Sequence, residues 1–287
     1  MTTDDLEAAI AERLAEAGIE DAARDARRIV EAARAQGGEG AAERAEAMAS
    51  RRAAGAPLAY VLGRQRFLGV ELLADPGALV PREETELLGR RAIAILREAS
   101  STGEGLVAID MCCGSGNLAC GIAAELPALR VFASDLTDGC VSLARRNVEH
   151  LGLRDRVTVV QGDLFAPLDG LGLEGTIDAI VCNPPYISTG RLAKDRAELL
   201  DHEPREAFDG GPYGLSIHQR VVKDALRYLR PGGHLMFEIG LGQEKQIQLL
   251  FDRTRAYEPV VFECDAEGRP RCALGRRKAS DSGTTPS

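Results

Sequence analysis

Apolar residues recur at helical spacing through the first fifty positions, and beyond residue 105 they gather instead into short runs separated by polar and glycine-rich stretches. Leu6, Ile10 and Leu14 stand four apart and Ile29 and Val30 follow, in a background of Ala, Glu and Arg, which predicts helices within residues 4–54. Gly18 and the pair Gly37-Gly38 divide them. The apolar stripe is thin, so the module either packs as an ordinary small bundle or rests on a neighbouring element or partner.

Pro57 opens a different pattern. Gln65 to Ala74 mixes apolar and polar positions around Gly69, as two short strands of a hairpin do. Pro81-Arg82-Glu83-Glu84-Thr85-Glu86 then precedes a helix reaching about Glu98, with Thr85 or Glu84 supplying acceptors to its first turn. Past a break at residues 100–103, apolar or β-branched runs at 106–110, 131–135, 157–160, 177–182 and 235–239 alternate with helical segments at 116–126, 138–151, 215–229 and 242–252. That alternation predicts an α/β fold with a mostly parallel sheet covered on both faces. The last two runs, 259–263 and 271–274, lie too close for a crossover and form an antiparallel hairpin at the sheet edge. The expected division is a helical N-terminal domain over 1–56, a hairpin linker over 57–80, an α/β domain over 81–279 and a disordered tail over 280–287.

At 287 residues, 45% hydrophobic and 28% charged, the chain can bury a full core beside a smaller appendage. The N-terminus shows neither the basic start nor the apolar stretch of a secretory signal, and no run is long enough to span a bilayer, so the expected location is cytoplasmic, with no membrane partner. A net charge of -9 argues against stable binding to nucleic acid through its phosphates. Seven cysteines, an odd number without framework spacing, read as reduced thiols, and without paired Cys-x2–4-Cys elements no metal is expected.

Candidate chemistry sits at the strand ends, where open α/β sheets bind ligands. Asp110 and the loop Cys112-Cys113-Gly114-Ser115-Gly116 follow the first run, and the glycines allow a ligand to approach the backbone where the next helix presents its amides. Asp135 ends the second run and suits two ribose hydroxyls; its plainer role is a helix cap before Thr137-Asp138. After the third, Asp163 suits an adenine amino group or a turn, and Leu164 suits packing on the ring. Asn183-Pro184-Pro185-Tyr186 closes the fourth. An amide or aryl-amine nitrogen is a poor nucleophile because its lone pair is delocalised, so both of its N–H groups need anchoring. The Asn183 side-chain oxygen and the Pro184 carbonyl are suitable acceptors, Pro185 stiffens the turn, and Tyr186 offers a flat face. The combination points to methyl transfer onto a planar nitrogen.

With these motifs in this order, the chain resembles the protein-(glutamine-N5) methyltransferases of the PrmC/HemK type, the release factor glutamine methyltransferases. The likeness rests also on Pro57-Leu-Ala-Tyr-Val-Leu-Gly63, Val80-Pro-Arg-Glu-Glu-Thr-Glu86, Glu203-Pro-Arg-Glu-Ala207, Asp209-Gly-Gly-Pro-Tyr-Gly-Leu215 and Asp265-Ala-Glu-Gly-Arg269. The resemblance implies a seven-stranded, Rossmann-like class I methyltransferase sheet behind the small helical domain, which with the hairpin grips a protein substrate. It implies S-adenosylmethionine as cofactor, leaving as S-adenosylhomocysteine, with contacts from residues 112–116, Asp135, Leu164 and Asn183. The acceptor it implies is the Gly-Gly-Gln glutamine of a peptide-chain release factor, held by Asn183 to Tyr186. Cys112 stands where the family carries its first glycine, and Phe208 and Tyr213 stand where Leu and Asp are common. Rival readings are a DNA or RNA adenine-N6 methyltransferase, a small-molecule N-methyltransferase, and a protein that binds the cofactor without turnover.

Overall fold

The structure, a computed structural model, describes residues 2–100, 105–195 and 203–279; the expected tail at 280–287 lies outside them. Helices α1 (Thr3–Glu16), α2 (Ala22–Ala35) and α3 (Ala41–Ala53) form where the helical spacing ran. Thr2 and Asp5 close a reciprocal cap on α1, each side chain accepting from the other's amide. Leu6, Ile10, Leu14, Ile29 and Val30 meet in one small core. Its open side is covered by α4 (Leu58–Leu62), a short helix that the pattern around Pro57 did not predict, through Val61 and Leu62. The thin stripe therefore finds its cover within the chain.

Strands β1 (Arg64–Phe67) and β2 (Val70–Leu73) form the expected hairpin, with Phe67 paired to Val70 and a two-residue turn between them. Leu68 and Gly69 both take positive φ, 45° and 81°, the requirement of a turn that matches strand twist. A leucine in that conformation is strained, and its side chain supplies the offset by packing into the core between two helices, α5 (Glu83–Ala99) and α6 (Asn117–Glu125). Both helices carry a glycine at the contact. A Cβ on Gly89 would lie 2.3 Å from Leu68 Cδ1, and one on Gly121 would lie 2.9 Å from Leu68 Cβ.

The remaining elements are β3 (Val107–Met111), β4 (Arg130–Asp135), α7 (Asp138–His150), β5 (Val157–Gln161), β6 (Ile177–Cys182), α8 (Thr189–Asp195), α9 (Ser216–Tyr228), β7 (Leu229–Glu238), α10 (Glu244–Thr254), β8 (Val261–Cys264) and β9 (Pro270–Arg276). They build a seven-stranded sheet in the order β5-β4-β3-β6-β7-β9-β8, parallel from β5 to β7 and antiparallel at β9 and β8. Side chains alternate across it. Ala108, Val131, Ala179 and Met236 face α5, α6 and α7, while Ile109, Phe132, Ile180 and Phe237 face α9 and α10. Every residue of β6 is buried, as expected of a central strand covered on both sides. Each large aliphatic side chain so buried contributes about 1.5–3 kcal/mol. Strand β7 begins six residues earlier than the apolar run at 235, because Gly233 lets its backbone approach that of Ile177, where an added Cβ would stand 2.8 Å from the carbonyl oxygen. Helix α8 is a further element the pattern did not predict. The cysteines are free; Cys113, Cys120, Cys140, Cys182 and Cys272 are buried, while Cys264 is exposed.

The Leu68 contact sets two effects against each other. Helix propensity alone favours Gly121→Ala by about 1 kcal/mol, whereas overpacking against the partly buried Leu68 costs about 1–3 kcal/mol. The Cβ-to-Cβ approach decides for overpacking, so Gly121→Ala lowers the urea midpoint, and adding Leu68→Gly, which removes the opposing Cβ and suits the positive φ, recovers part of the loss. A raised midpoint in the single variant contradicts the wedge.

Candidate active site

The strand order reverses between β3 and β6, since the chain continues from β3 outward through β4 to β5 and then returns to the other side of β3. A crevice opens at the carboxyl ends of strands flanking such a reversal. It holds a cavity with about 960 Å³ of empty space, its open mouth included, lined by Cys112, Cys113, Gly114, Ser115, Asp135, Asp163, Leu164, Asn183 and Pro185 among others. Gly116, Pro184 and Tyr186 sit outside that lining.

The loop after β3 keeps three residues in left-handed backbone: Cys112 at φ 57°, Gly114 at 53° and Gly116 at 75°. Cys112 adopts at a steric cost of about 1–2 kcal/mol what glycine adopts freely, and its side chain packs partly buried against the core on the α9 side. A Cβ at Gly114 would meet nothing within 4 Å, so the loop faces open space there. Gly116 caps α6, and a side chain on it would press Ala144 of α7 at 3.2 Å. Asp135 holds the loop from β4: Oδ2 accepts from the Gly114 amide at 2.9 Å and Oδ1 from the Thr137 amide at 3.1 Å. The cap of α7 is Thr137 itself, whose hydroxyl accepts from the Cys140 amide, so Asp135 does not serve as that cap. The Thr137 hydroxyl also donates to Oδ1, at 3.4 Å, so the lone-pair capacity left on Asp135 is at Oδ2.

Below the loop, Asp110 is fully buried; its Oδ2 accepts from the Ala119 amide at 2.9 Å, and its Oδ1 has no partner among the described residues. Burial foremost, with the charge of Asp135 adding to it, pushes the Asp110 carboxyl up from 3.8 to about 7. On the adjacent wall Leu164 takes φ 50°, and its carbonyl accepts from the Ser134 hydroxyl at 2.9 Å, which turns the side chain to the cavity. Asp163 reaches the cavity too, but its Oδ2 is in an ion pair with Arg220 at 2.8 Å rather than free.

Asn183 sits at the end of β6. Its Nδ2 donates to the Thr85 hydroxyl at 3.0 Å, and Thr85 donates in turn to Glu238 Oε2 at 2.7 Å. The Tyr186 hydroxyl donates to Glu238 Oε1 at 2.9 Å, and Arg271 Nη2 stands 3.8 Å from the same oxygen. The expected capping role of Thr85 is thereby corrected: Arg82 precedes α5 without a side-chain cap, because the Thr85 hydroxyl is drawn to a buried carboxylate instead. Burial pushes the Tyr186 phenol well above its ordinary value and Glu238 beside it adds to the rise, so the phenol stays a donor at neutral pH. Burial also raises the Glu238 carboxyl, against the opposing bonds from Thr85 and Tyr186. Beyond Tyr186 the turn is braced. Gln243 Nε2 donates to the carbonyls of Tyr186 and Gly214 at 3.1 and 3.2 Å, and Gly214 has no room for a Cβ, which would lie 2.3 Å from the Tyr186 oxygen.

Two partners of the Asn183 turn have roles the sequence pattern does not assign. Thr85 reads there as a first-turn acceptor and as part of the motif Val80 to Glu86, and Glu238 only as the one acid inside the run Leu235-Met-Phe-Glu-Ile239. An acid flanked by apolar residues in a central strand is the signal that was available. A third contact closes the crevice: Glu203 Oε1 accepts from the Val80 amide at 3.1 Å, and its other oxygen pairs with Arg82. Pro204, Glu206 and Ala207 then line the cavity from that side. Among the described residues, no group of three or more His, Cys, Asp or Glu could hold a metal ion, and no helix is long and apolar enough to cross a membrane.

Residues 92–211 match the Methyltransferase small domain family. A release factor glutamine methyltransferase from Moorella thermoacetica is 40% identical over 228 residues, covering 79% of this chain and 77% of that relative. One from Bradyrhizobium diazoefficiens is 33% identical over 280 residues, covering 93% and 92%. Among solved structures, a methyltransferase from Pyrococcus furiosus superposes with a TM-score of 0.52 at 19% identity over 74% of this chain and 90% of that one. The N-terminal domain of human METTL16 in complex with SAH gives 0.51 at 19% over 82% and 81%. These two likenesses show the class I methyltransferase fold.

Asp110 makes stability depend on pH in a definite direction. The folded chain keeps a proton that the unfolded chain releases above 3.8, so this group's contribution falls as pH rises from 3.8 towards about 7 and is level above that. Urea titrations across this range show a smaller decline for Asp110→Asn than for the wild type; equal declines contradict the assignment.

Proposed function

The chain belongs to the release factor glutamine methyltransferase family, and from that premise we propose that it methylates the side-chain nitrogen of the Gly-Gly-Gln glutamine in a peptide-chain release factor. The observation that carries this reading is the placement of Asn183: its carboxamide lines the cavity with one Nδ2 proton given to Thr85, which turns the oxygen to the opposite side of the amide. Its oxygen is therefore the group left to accept from an incoming N–H.

The cavity suits S-adenosylmethionine, with left-handed backbone opening the loop at Gly114 and a carboxylate at the end of β4. We assign Cys112 to Gly116 to its amino-acid portion, Asp135 to the ribose hydroxyls, and Leu164 to the adenine face. Asp163 accepts from the adenine amino group once it shares its contact with Arg220. When bound, S-adenosylmethionine supplies a methyl group on a positively charged sulfur and leaves as S-adenosylhomocysteine.

Asn183 Oδ1 and the Pro184 carbonyl each accept one N–H of the substrate amide, which orients its lone pair towards the methyl carbon. The nitrogen gains the methyl and gives up one proton to solvent. Pro184 and Pro185 fix the backbone that presents these acceptors, and Tyr186, tied at its hydroxyl to Glu238, holds its ring as a wall for the planar group. No step requires a metal. Residues 1–56 and the hairpin are read as the surface that grips the release factor, a substrate that places the protein in the cytoplasm. The net charge of -9 fits a protein substrate better than a nucleic acid.

Incubation of release factor with the enzyme and isotopically labelled cofactor yields one labelled methyl on the Gly-Gly-Gln glutamine, read by peptide mass spectrometry. Label in an adenine oligonucleotide and none in the release factor overturns the reading. Asn183→Ala keeps S-adenosylhomocysteine binding by calorimetry and loses turnover about a hundredfold or more, the scale for removing one group that contacts the reacting centre.

A further inference from the structure

We propose that Thr85 and Glu238 are positioning residues that decide which end of the Asn183 carboxamide faces the cavity, and so make the site accept an N–H donor and reject an acceptor. The inference rests on the reading of Asn183 as an anchor for the substrate amide, and adds what makes that anchor selective.

An asparagine amide has two ends of nearly equal size and opposite hydrogen-bonding sense. Turned one way, Asn183 offers an oxygen to the substrate; turned the other, it offers N–H groups against N–H groups. Its neighbour settles the choice. The Thr85 hydroxyl has a single proton, and that proton goes to Glu238 Oε2 at 2.7 Å. Glu238 is 2% exposed, with Tyr186 donating to its other oxygen at 2.9 Å, so the carboxylate is a concentrated acceptor in a dry setting. With its proton committed, Thr85 can only accept from Asn183, and Nδ2 stands 3.0 Å away in that role.

The polarity is thus passed along the chain Glu238, Thr85, Asn183, from a charge to a hydroxyl to an amide. Glu238 is itself anchored, because its carbonyl meets His218 Nε2 at 3.0 Å. Thr85 comes from α5, Asn183 from the end of β6 and Glu238 from the end of β7, all brought together by burial of the carboxylate. A glutamate side chain in place of the substrate glutamine presents only acceptors when ionised, and meets the Asn183 oxygen with repulsion.

The test compares steady-state rates on release factor, and S-adenosylhomocysteine affinity by calorimetry, for wild type, Thr85→Val, Thr85→Ser and Asn183→Ala. Thr85→Val keeps the shape and removes the hydroxyl; its kcat falls about tenfold to a hundredfold, the scale of one charge-linked hydrogen bond, with S-adenosylhomocysteine affinity close to wild type. Thr85→Ser restores the hydroxyl and returns most of kcat. Thr85→Val at wild-type kcat, with Asn183→Ala inactive, overturns the positioning role and leaves the reading of Asn183 intact. Wild-type rates in both overturn that reading as well. Loss in Thr85→Val that Thr85→Ser does not repair assigns Thr85 to packing and overturns the proposal. If Thr85→Val fails to bind S-adenosylhomocysteine, Thr85→Ala is measured in its place, and failure of both to bind counts against the proposal.

Discussion

A carboxylate buried at the end of β7 is the constraint on which the Asn183 side of the crevice depends. Glu238 is almost without solvent, and an ion in such a place is tolerated only when donors surround it. Two donors and a nearby cation come from three separate parts of the chain: the hydroxyls of Thr85 on α5 and Tyr186 after β6, and the Arg271 guanidinium on β9. Satisfying one charge therefore draws together the helix before the sheet, the turn that carries Asn183, and the C-terminal hairpin. The same need explains why Tyr186 remains a protonated donor and why Thr85 gives up a helix cap.

The loop side of the crevice follows a similar logic with a more accessible acid. Asp135 ties the loop after β3 to the end of β4 through the Gly114 amide. That bond holds the loop in its left-handed course although Cys112 carries a Cβ, and it leaves lone-pair capacity on Oδ2. The hairpin contributes at a distance by inserting Leu68 between α5 and α6, which positions the helix that carries Thr85.

The alternation of apolar runs and helical segments made most of the sheet legible, because buried strands and amphipathic helices leave periods that survive in the sequence. The C-terminal hairpin was legible from the short spacing between 263 and 271. Helix α4 was not, since five residues are too few to show a period, and neither was the early start of β7, where Pro231-Gly232-Gly233 reads as a turn. At the site, the loop 112–116, Asp135, Leu164 and Asn183 could be picked out by type and by position at strand ends. Thr85 and Glu238 could not be assigned because their meaning lies in a contact across 153 positions. Asp163 was legible as a strand-end acid, but its partner Arg220 lies on another element, and no local pattern announces such a pair.

The antiparallel end of the sheet has a consequence for how the protein is made. Strand β9, translated after every other strand of the sheet, does not lie at the edge; it fits between β7 and β8. While the ribosome is still adding residues before 270, β7 has an open edge and β8 has no strand to pair with. Arg271 is missing from the acid it faces for the same interval. The sheet thus closes only once β9 has been made, and until then exposes a strand edge of the kind that invites chaperones or aggregation.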